Sequence, residues 1–284
     1  MILQGLRLEI KLAKNYGFCF GVKRAIEIAE SSKDSTTIGP LIHNNEEINR
    51  LEKNFNVITS NDITELGDAK KAIIRTHGIV KEDFEELKKS DVEVIDATCP
   101  FVTKPQQIVE QMSQEGYKIV IFGDVKHPEV KGVMSYAVNE PLVVMSVDEL
   151  KNADISHKVA VISQTTRKIS EFKKIVNFLV EKIKEVRVFN TICNATFENQ
   201  DSAHELSLES DVMIVIGGKN SSNTKQLLSI AEENCVDSYL IENDKELVKE
   251  WFDGKKLCGI TAGASTPDWI IEKIVATIRE LSVE

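Results

Sequence analysis

Cys19, Cys99 and Cys193 each follow a strand-like segment, precede a helix-like one, and open a copy of the same internal repeat. Three thiolates brought to one centre could hold a zinc ion with an open position. They could equally hold a [4Fe–4S] cluster whose fourth iron is left for a substrate. No C-x-x-C pair occurs, so a zinc ribbon and a ferredoxin-type run are excluded. Spacing alone does not separate the two readings that remain. All three positions open a helix, where orphan N–H groups and the helix dipole favour a thiolate. Cys235, in AEENCV read as helix, and Cys258, in the strand-like KKLCGI, read instead as small buried hydrophobes.

A second set of chemistry-bearing residues falls in polar turns after other strand-like segments. One group of turns carries His43, His127 with Glu129, and Ser221-Ser222-Asn223. The other carries Thr76-His77-Gly78, Gln164-Thr165-Thr166 and Gly263-Ala264-Ser265-Thr266. Imidazoles, hydroxyls and amides backed by helix N-terminal N–H groups suit a phosphate or diphosphate. Neither G-x-x-x-x-G-K-[ST] nor G-x-G-x-x-G is present, so the two common nucleotide sites lack support. Glu129 has two readings here: compensation of a helix dipole in the first turn, or a proton donor kept protonated in a closed cavity. His157 and His204 fall outside the pattern and read as surface or helix residues.

The elements that must position these residues recur three times. Strand-like LRLEIKLAKNYGF, VEVIDAT and VRVFNTI precede the three cysteines, and helical VKRAIEIAE, TKPQQIVEQM and ENQDSAHELSL follow them. Next come a strand with its polar turn, a helix, a strand with an acidic turn ending in Glu-Leu, a third strand with its turn, and a last helix. The cysteines stand 80 and 94 residues apart, a period that indicates small α/β lobes and not a solenoid. The expected fold is α/β, with three pseudo-symmetric lobes around a central cluster cavity. Each lobe is a small, mostly parallel sheet flanked by helices. The expected lobes are residues 14–98, 99–192 and 193–284. The third repeat ends without a closing strand, so the N-terminal segment 1–13, through a strand at residues 6–12, is expected to pair with it. Right-handed crossovers put all the quoted turns at carboxyl ends of strands, where α/β proteins bind ligands.

Composition narrows the function classes. A net charge of −10 argues against nucleic-acid or membrane-surface binding, although a local site can oppose the global sign. There is no run of 18 apolar residues and no segment that reads as a signal peptide. Five cysteines without a disulfide framework point to a reducing compartment, and a cytoplasmic protein is expected.

Several segments carry a specific resemblance: YGFCFGVKRAI, THG, DATCPFV, GDVKHPEVKG, SQTT, TICNAT, GGKNSSNT and AGASTPDWI. In this order, over residues 14–274, they resemble the motifs of the 4-hydroxy-3-methylbut-2-enyl diphosphate reductase family, which closes the methylerythritol phosphate route to isoprenoids. The resemblance implies one [4Fe–4S] cluster per chain, held by Cys19, Cys99 and Cys193 at the centre of a three-lobed fold. It implies that His43, His77, His127, Ser221, Ser222, Asn223 and Ser265 hold the substrate diphosphate. Glu129 then serves proton delivery with His127 and Thr165, and Thr165, with Thr166 beside it, places the substrate hydroxyl. Thr196 matches a segment lining the cavity. An external electron donor such as a ferredoxin or flavodoxin is implied. One stretch departs from the pattern: Asn199 stands where many members carry Arg, while Gln200 is kept. The expected effect of that change is on the helix surface or an electrostatic contact more than on the chemistry.

Overall fold

The computed structural model describes residues 8–151, 153, 155 and 157–282. The first third of the chain forms β1 (Glu9–Leu12), α1 (Phe20–Ser31), β2 (Ser35–Ile38), α2 (Asn45–Phe55), β3 (Val57–Ser60), β4 (Lys71–Ile74), α3 (Lys81–Leu87) and β5 (Glu93–Asp96). The middle forms α4 (Pro100–Gln114), β6 (Lys118–Phe122), α5 (Pro128–Met134), β7 (Leu142–Val144), α6 (Val147–Lys151), β8 (Lys158–Ser163), α7 (Ile169–Lys182) and β9 (Glu185–Val188). The last third forms α8 (Asn194–Ser207), β10 (Val212–Ile216), α9 (Ser222–Glu232), β11 (Ser238–Ile241), β12 (Leu257–Ala262) and α10 (Asp268–Leu281).

These strands make three four-stranded sheets, ordered β3-β2-β4-β5, β7-β6-β8-β9 and β11-β10-β12-β1. Every pair is parallel. The first two sheets share one topology: the second strand at one edge, then the first, third and fourth. The third sheet has the same order, but its fourth strand is β1, paired from Glu9↔Leu257 to Leu12↔Ile260. Residues 6 and 7 of the strand expected there lie outside the described residues.

The chain divides into two compact units. One comprises Met1–Phe20, His43–Glu47 and Asn194–Glu284, and the other Gly21–Ile42 and Ile48–Cys193. The first unit holds the β11-β10-β12-β1 sheet, and the second holds the other two.

Helices on both faces of a parallel sheet make its central strands apolar without alternation. β10, VMIVI, is buried at every position. Its Val212, Ile214 and Ile216 pack with Ile270, Ile274 and Ile278 of α10. Its Met213 and Val215 face the other way, onto Ala203 and Leu206 of α8 and Leu227 and Ala231 of α9. In the second unit, Ile119, Ile121, Ala160 and Ile162 pack under Val109 and Met112 of α4 and Val130 and Val133 of α5. The edge strands EIKL, EVID and EVRV are mostly half-buried or exposed, as their charged positions require.

Candidate functional site

Each cysteine stands immediately before the first residue of α1, α4 or α8, in the crossover that leaves the fourth strand of a sheet. The strands stop short of the cysteines, so the connecting residues need other partners for their N–H groups. They find them at the neighbouring third strand, and in the same way each time. The N–H of Cys99 donates to Thr76 O at 3.0 Å, that of Cys193 to Thr165 O at 3.1 Å, and that of Cys19 to Ala264 O at 3.2 Å. Each acceptor lies two residues beyond the end of β4, β8 or β12. Two residues before the cysteine a second clip closes on the strand's last carbonyl. Ala97 N–H donates to Ile74 O and Gly17 N–H to Ala262 O, while Thr191 uses its hydroxyl on Ser163 O. Equivalent clips hold three cysteines at equivalent points of three sheets.

The donor set fits a metal–sulfur group. Cys19, Cys99 and Cys193 are half-buried thiols outside any disulfide. Gly21 opens α1 beside Cys99, where an added Cβ would stand 2.4 Å from the Cys99 Sγ. The remaining cysteines are unsuited: burial pushes the Cys258 thiol up to about 12, and burial also raises Cys235. Cys235 lies beyond the end of α9, not within the helix expected from AEENCV; its thiol contacts Asp237 O at 3.7 Å.

In each sheet the first and third strands are neighbours whose crossovers run to opposite edges. Such a switch point opens a crevice at the carboxyl ends of the strands. The predicted polar residues sit at these three switch points. His43, His127 and Ser221 each stand five residues beyond β2, β6 and β10, and His77, Thr166 and Ser265 each stand three beyond β4, β8 and β12.

In the second unit the switch point between β6 and β8 is the most elaborate. His127 caps α5, its Nδ1 accepting the Glu129 N–H at 3.2 Å. The neutral ring therefore carries its proton on Nε2, as a donor. Glu129 is 3% exposed. Its Oε1 accepts the Thr165 N–H at 2.7 Å, and its Oε2 lies 2.6 Å from the Thr165 hydroxyl. Burial pushes the Glu129 carboxyl above its ordinary range; the Thr165 hydrogen bonds and the Arg167 charge oppose that rise without cancelling it. Gln164 ties the two turns together, accepting the Asp124 N–H at 3.1 Å while its amide reaches Thr166 Oγ1 at 3.3 Å. The His77 and His127 rings meet edge to face with centroids 5.5 Å apart. Between β2 and β4, Leu41 O accepts both the N–H and the hydroxyl of Thr76.

The first unit brings together His43, Ser221, Ser222, Asn223 and Ser265. Ser221 caps α9 by accepting the Thr224 N–H at 3.3 Å. The Ser265 hydroxyl donates to His43 O at 3.2 Å. Gly218 lies so close to the same carbonyl that an added Cβ would stand 2.4 Å from it. Asn223 is 4% exposed, and among the described residues neither its amide oxygen nor its amide nitrogen has a hydrogen-bond partner. Leaving such a group unsatisfied is costly, so its position suits a polar ligand. Cys19 and Thr196 also belong to this unit, while Cys99, Cys193, His77, His127, Glu129, Thr165 and Thr166 belong to the other.

Three features escaped the sequence. Asn199 is 5% exposed, so the departure from Arg falls in the packed side of α8 and not on a helix surface. Arg167, directly after the Gln-Thr-Thr turn, is 8% exposed and lies over the Phe122 ring. Glu47 and Trp269, from distant segments, are joined by a hydrogen bond. Position directly after SQTT could have flagged Arg167, and position within AGASTPDWI could have flagged Trp269; nothing local marks Glu47. His157 and His204 are exposed, as expected.

Fold and site together define an α/β protein of three parallel-sheet lobes, with one clipped cysteine and one polar switch point per sheet. Residues 10–279 match the family model described as LytB protein. A 4-hydroxy-3-methylbut-2-enyl diphosphate reductase of a Nitratiruptor species is 65% identical over 276 residues, covering 97% of this chain and all of the relative. Its counterpart in Campylobacter jejuni is 67% identical over 274 residues, covering 96% of this chain and 99% of the relative. Among solved structures, the Plasmodium falciparum E-1-hydroxy-2-methyl-but-2-enyl-4-diphosphate reductase matches with a TM-score of 0.89 at 28% identity, over 95% of this chain and 87% of that one. A solved (E)-4-hydroxy-3-methyl-but-2-enyl diphosphate reductase matches with a TM-score of 0.70 at 43% identity, over 96% of this chain and 99% of that one. The chain belongs to the LytB family and, like these relatives, is an oxidoreductase. Among the described residues no helix is long and apolar enough to cross a membrane.

Proposed function

We propose that the chain reduces 4-hydroxy-3-methylbut-2-enyl diphosphate, releasing the allylic hydroxyl as water and yielding isopentenyl and dimethylallyl diphosphates. Two electrons and two protons balance the reaction. Cys19, Cys99 and Cys193 would hold one [4Fe–4S] cluster. When bound, that group supplies the electrons one at a time and a Lewis-acidic iron for the hydroxyl. The electrons come from an external donor of the ferredoxin or flavodoxin class.

The chain's own residues bind, orient and protonate. His43, His77, His127, Ser221, Ser222, Asn223 and Ser265 offer neutral or cationic donors to the diphosphate. Asn223 gains the partners its buried amide lacks. Anchoring this remote group uses binding energy to orient the reacting end. The Glu129 carboxyl, which burial helps to keep its proton, supplies one of the protons needed by the departing hydroxyl and the allyl carbon. Thr165 Oγ1, 2.6 Å from Glu129 Oε2, is placed to pass that proton on. Thr165 also places the substrate hydroxyl, with Thr166 beside it, and His127 fixes the start of α5 and so the position of Glu129.

The observation that carries this reading is the threefold clip that sets one thiol beside each switch-point turn. The test is iron and acid-labile sulfide per chain after anaerobic purification, with turnover of the allylic diphosphate. Roughly four of each is expected, with both lost in Cys99→Ser. Zinc in place of iron after anaerobic reconstitution, or a Cys99→Ser protein that keeps a full and active cluster, would overturn it.

A further inference from the structure

The segment His43–Glu47 is encoded within the first repeat, yet it groups with the unit that contains the β11-β10-β12-β1 sheet. The contacts within that unit explain why. At one end, His43 O accepts the Ser265 hydroxyl and lies against Gly218. At the other end, the Trp269 indole N–H donates to Glu47 Oε2 at 3.0 Å. Glu47 is 1% exposed, and a carboxyl so buried is costly unless donors reach it. Trp269, the second residue of α10, is 41% exposed. It leaves much of its ring in solvent while turning its one donor onto Glu47. Asn44 completes the arrangement, its Oδ1 accepting the Glu47 N–H at 3.0 Å at the start of α2.

We infer that Glu47 and Trp269 form a positioning pair that fixes the His43 turn for diphosphate binding. Neither residue needs to touch the substrate. His43 is separated from Glu47 by three residues, and all three, Asn44 at the cap and Asn45 and Glu46 in the first turn, belong to the start of α2. Pinning Glu47 from α10 therefore limits how far the His43 imidazole can drift from Ser221, Asn223 and Ser265. A small displacement of one ligand in a multidentate anion site weakens binding more than it changes the chemistry at the far end of the substrate.

The inference rests on the reading of His43 as a diphosphate ligand, and the experiment separates the two. Inorganic diphosphate is titrated calorimetrically into the anaerobically purified holoprotein, alongside steady-state kinetics with the allylic diphosphate. Trp269→Phe keeps the ring and removes the donor. It should weaken diphosphate binding and raise KM by roughly tenfold, leaving kcat within about twofold. Glu47→Leu should do the same, whereas Glu47→Gln, which keeps an acceptor oxygen, should restore binding to near the wild-type value. Combined with His43→Ala, Trp269→Phe should cost nothing more. If Trp269→Phe and Glu47→Leu bind diphosphate like wild type while His43→Ala does not, the positioning role is wrong and the His43 reading stands. If His43→Ala itself binds like wild type, that reading falls and the inference falls with it.

Discussion

A carboxyl group taken out of water keeps its proton to higher pH, and at Glu129 the competing influences can be assigned to atoms. Burial raises its pKa; the Thr165 hydroxyl, the Thr165 N–H and the Arg167 charge pull the other way. Glu129→Gln should keep its iron and sulfide and lose about 10²–10⁴-fold in turnover. The sign of the pH effect on stability follows from the raised value. The contribution of Glu129 is fully present below the ordinary value of 4.5 and is lost as pH rises through the folded one. The denaturant midpoint of the wild type should therefore fall, as pH rises above 4.5, by more than that of Glu129→Gln. Thr165→Val removes one of the bonds that lower the pKa, so the basic limb of the pH–rate profile should move to higher pH while the rate falls; an unmoved limb would disconnect the two residues. At this scale much was legible. Cysteines, histidines and hydroxyls in strand-end turns announce themselves by type. The raised pKa of Glu129 was only one of two readings open in the sequence, because it depends on the burial of that carboxyl and on hydrogen bonds to a threonine 36 residues away. Asn199 was weighed by its polar type, although it stands four and seven residues before the buried Ala203 and Leu206 and so on the packed side of α8.

Among the elements, the first turn of α1 is closely constrained by its neighbour. A methyl group on Gly21 would overlap the Cys99 sulfur, and a helix backbone has little room to retreat. Gly21→Ala should cost about 1–3 kcal/mol in stability and leave bound iron well below the wild-type level. Normal iron in this variant would show that α1 yields easily. Elements and their order were read well from sequence, because central strands such as β10 and edge strands such as β9 differ in burial and so in composition. Boundaries were read less well. The strands end several residues before Cys19 and Cys193, in connections held by clips to β12 and β8 that no local pattern encodes. Three repeats of one pattern revealed three sheets; they did not reveal that His43–Glu47 packs with the sheet of another repeat.

For the molecule as a whole, the third sheet differs from the other two in how far apart its strands lie along the chain. β4 and β5 pair Lys71 with Glu93, and β8 and β9 pair Lys158 with Glu185, but β1 and β12 pair Glu9 with Leu257, 248 residues away. Closing the longer loop costs roughly 2 kcal/mol more in chain entropy than closing the 22-residue one. In refolding monitored by pulsed hydrogen exchange, amides of β2 to β9 should gain protection before those of β1; simultaneous protection would show that the sheets fold as one. The same geometry governs how the protein is made on a ribosome. Cys19 emerges long before Ala264, whose carbonyl anchors it. Newly made chains can complete two of their sheets during translation while their first cysteine waits without its anchor. The three thiols are therefore complete as a set only once the chain has emerged as far as Ala264.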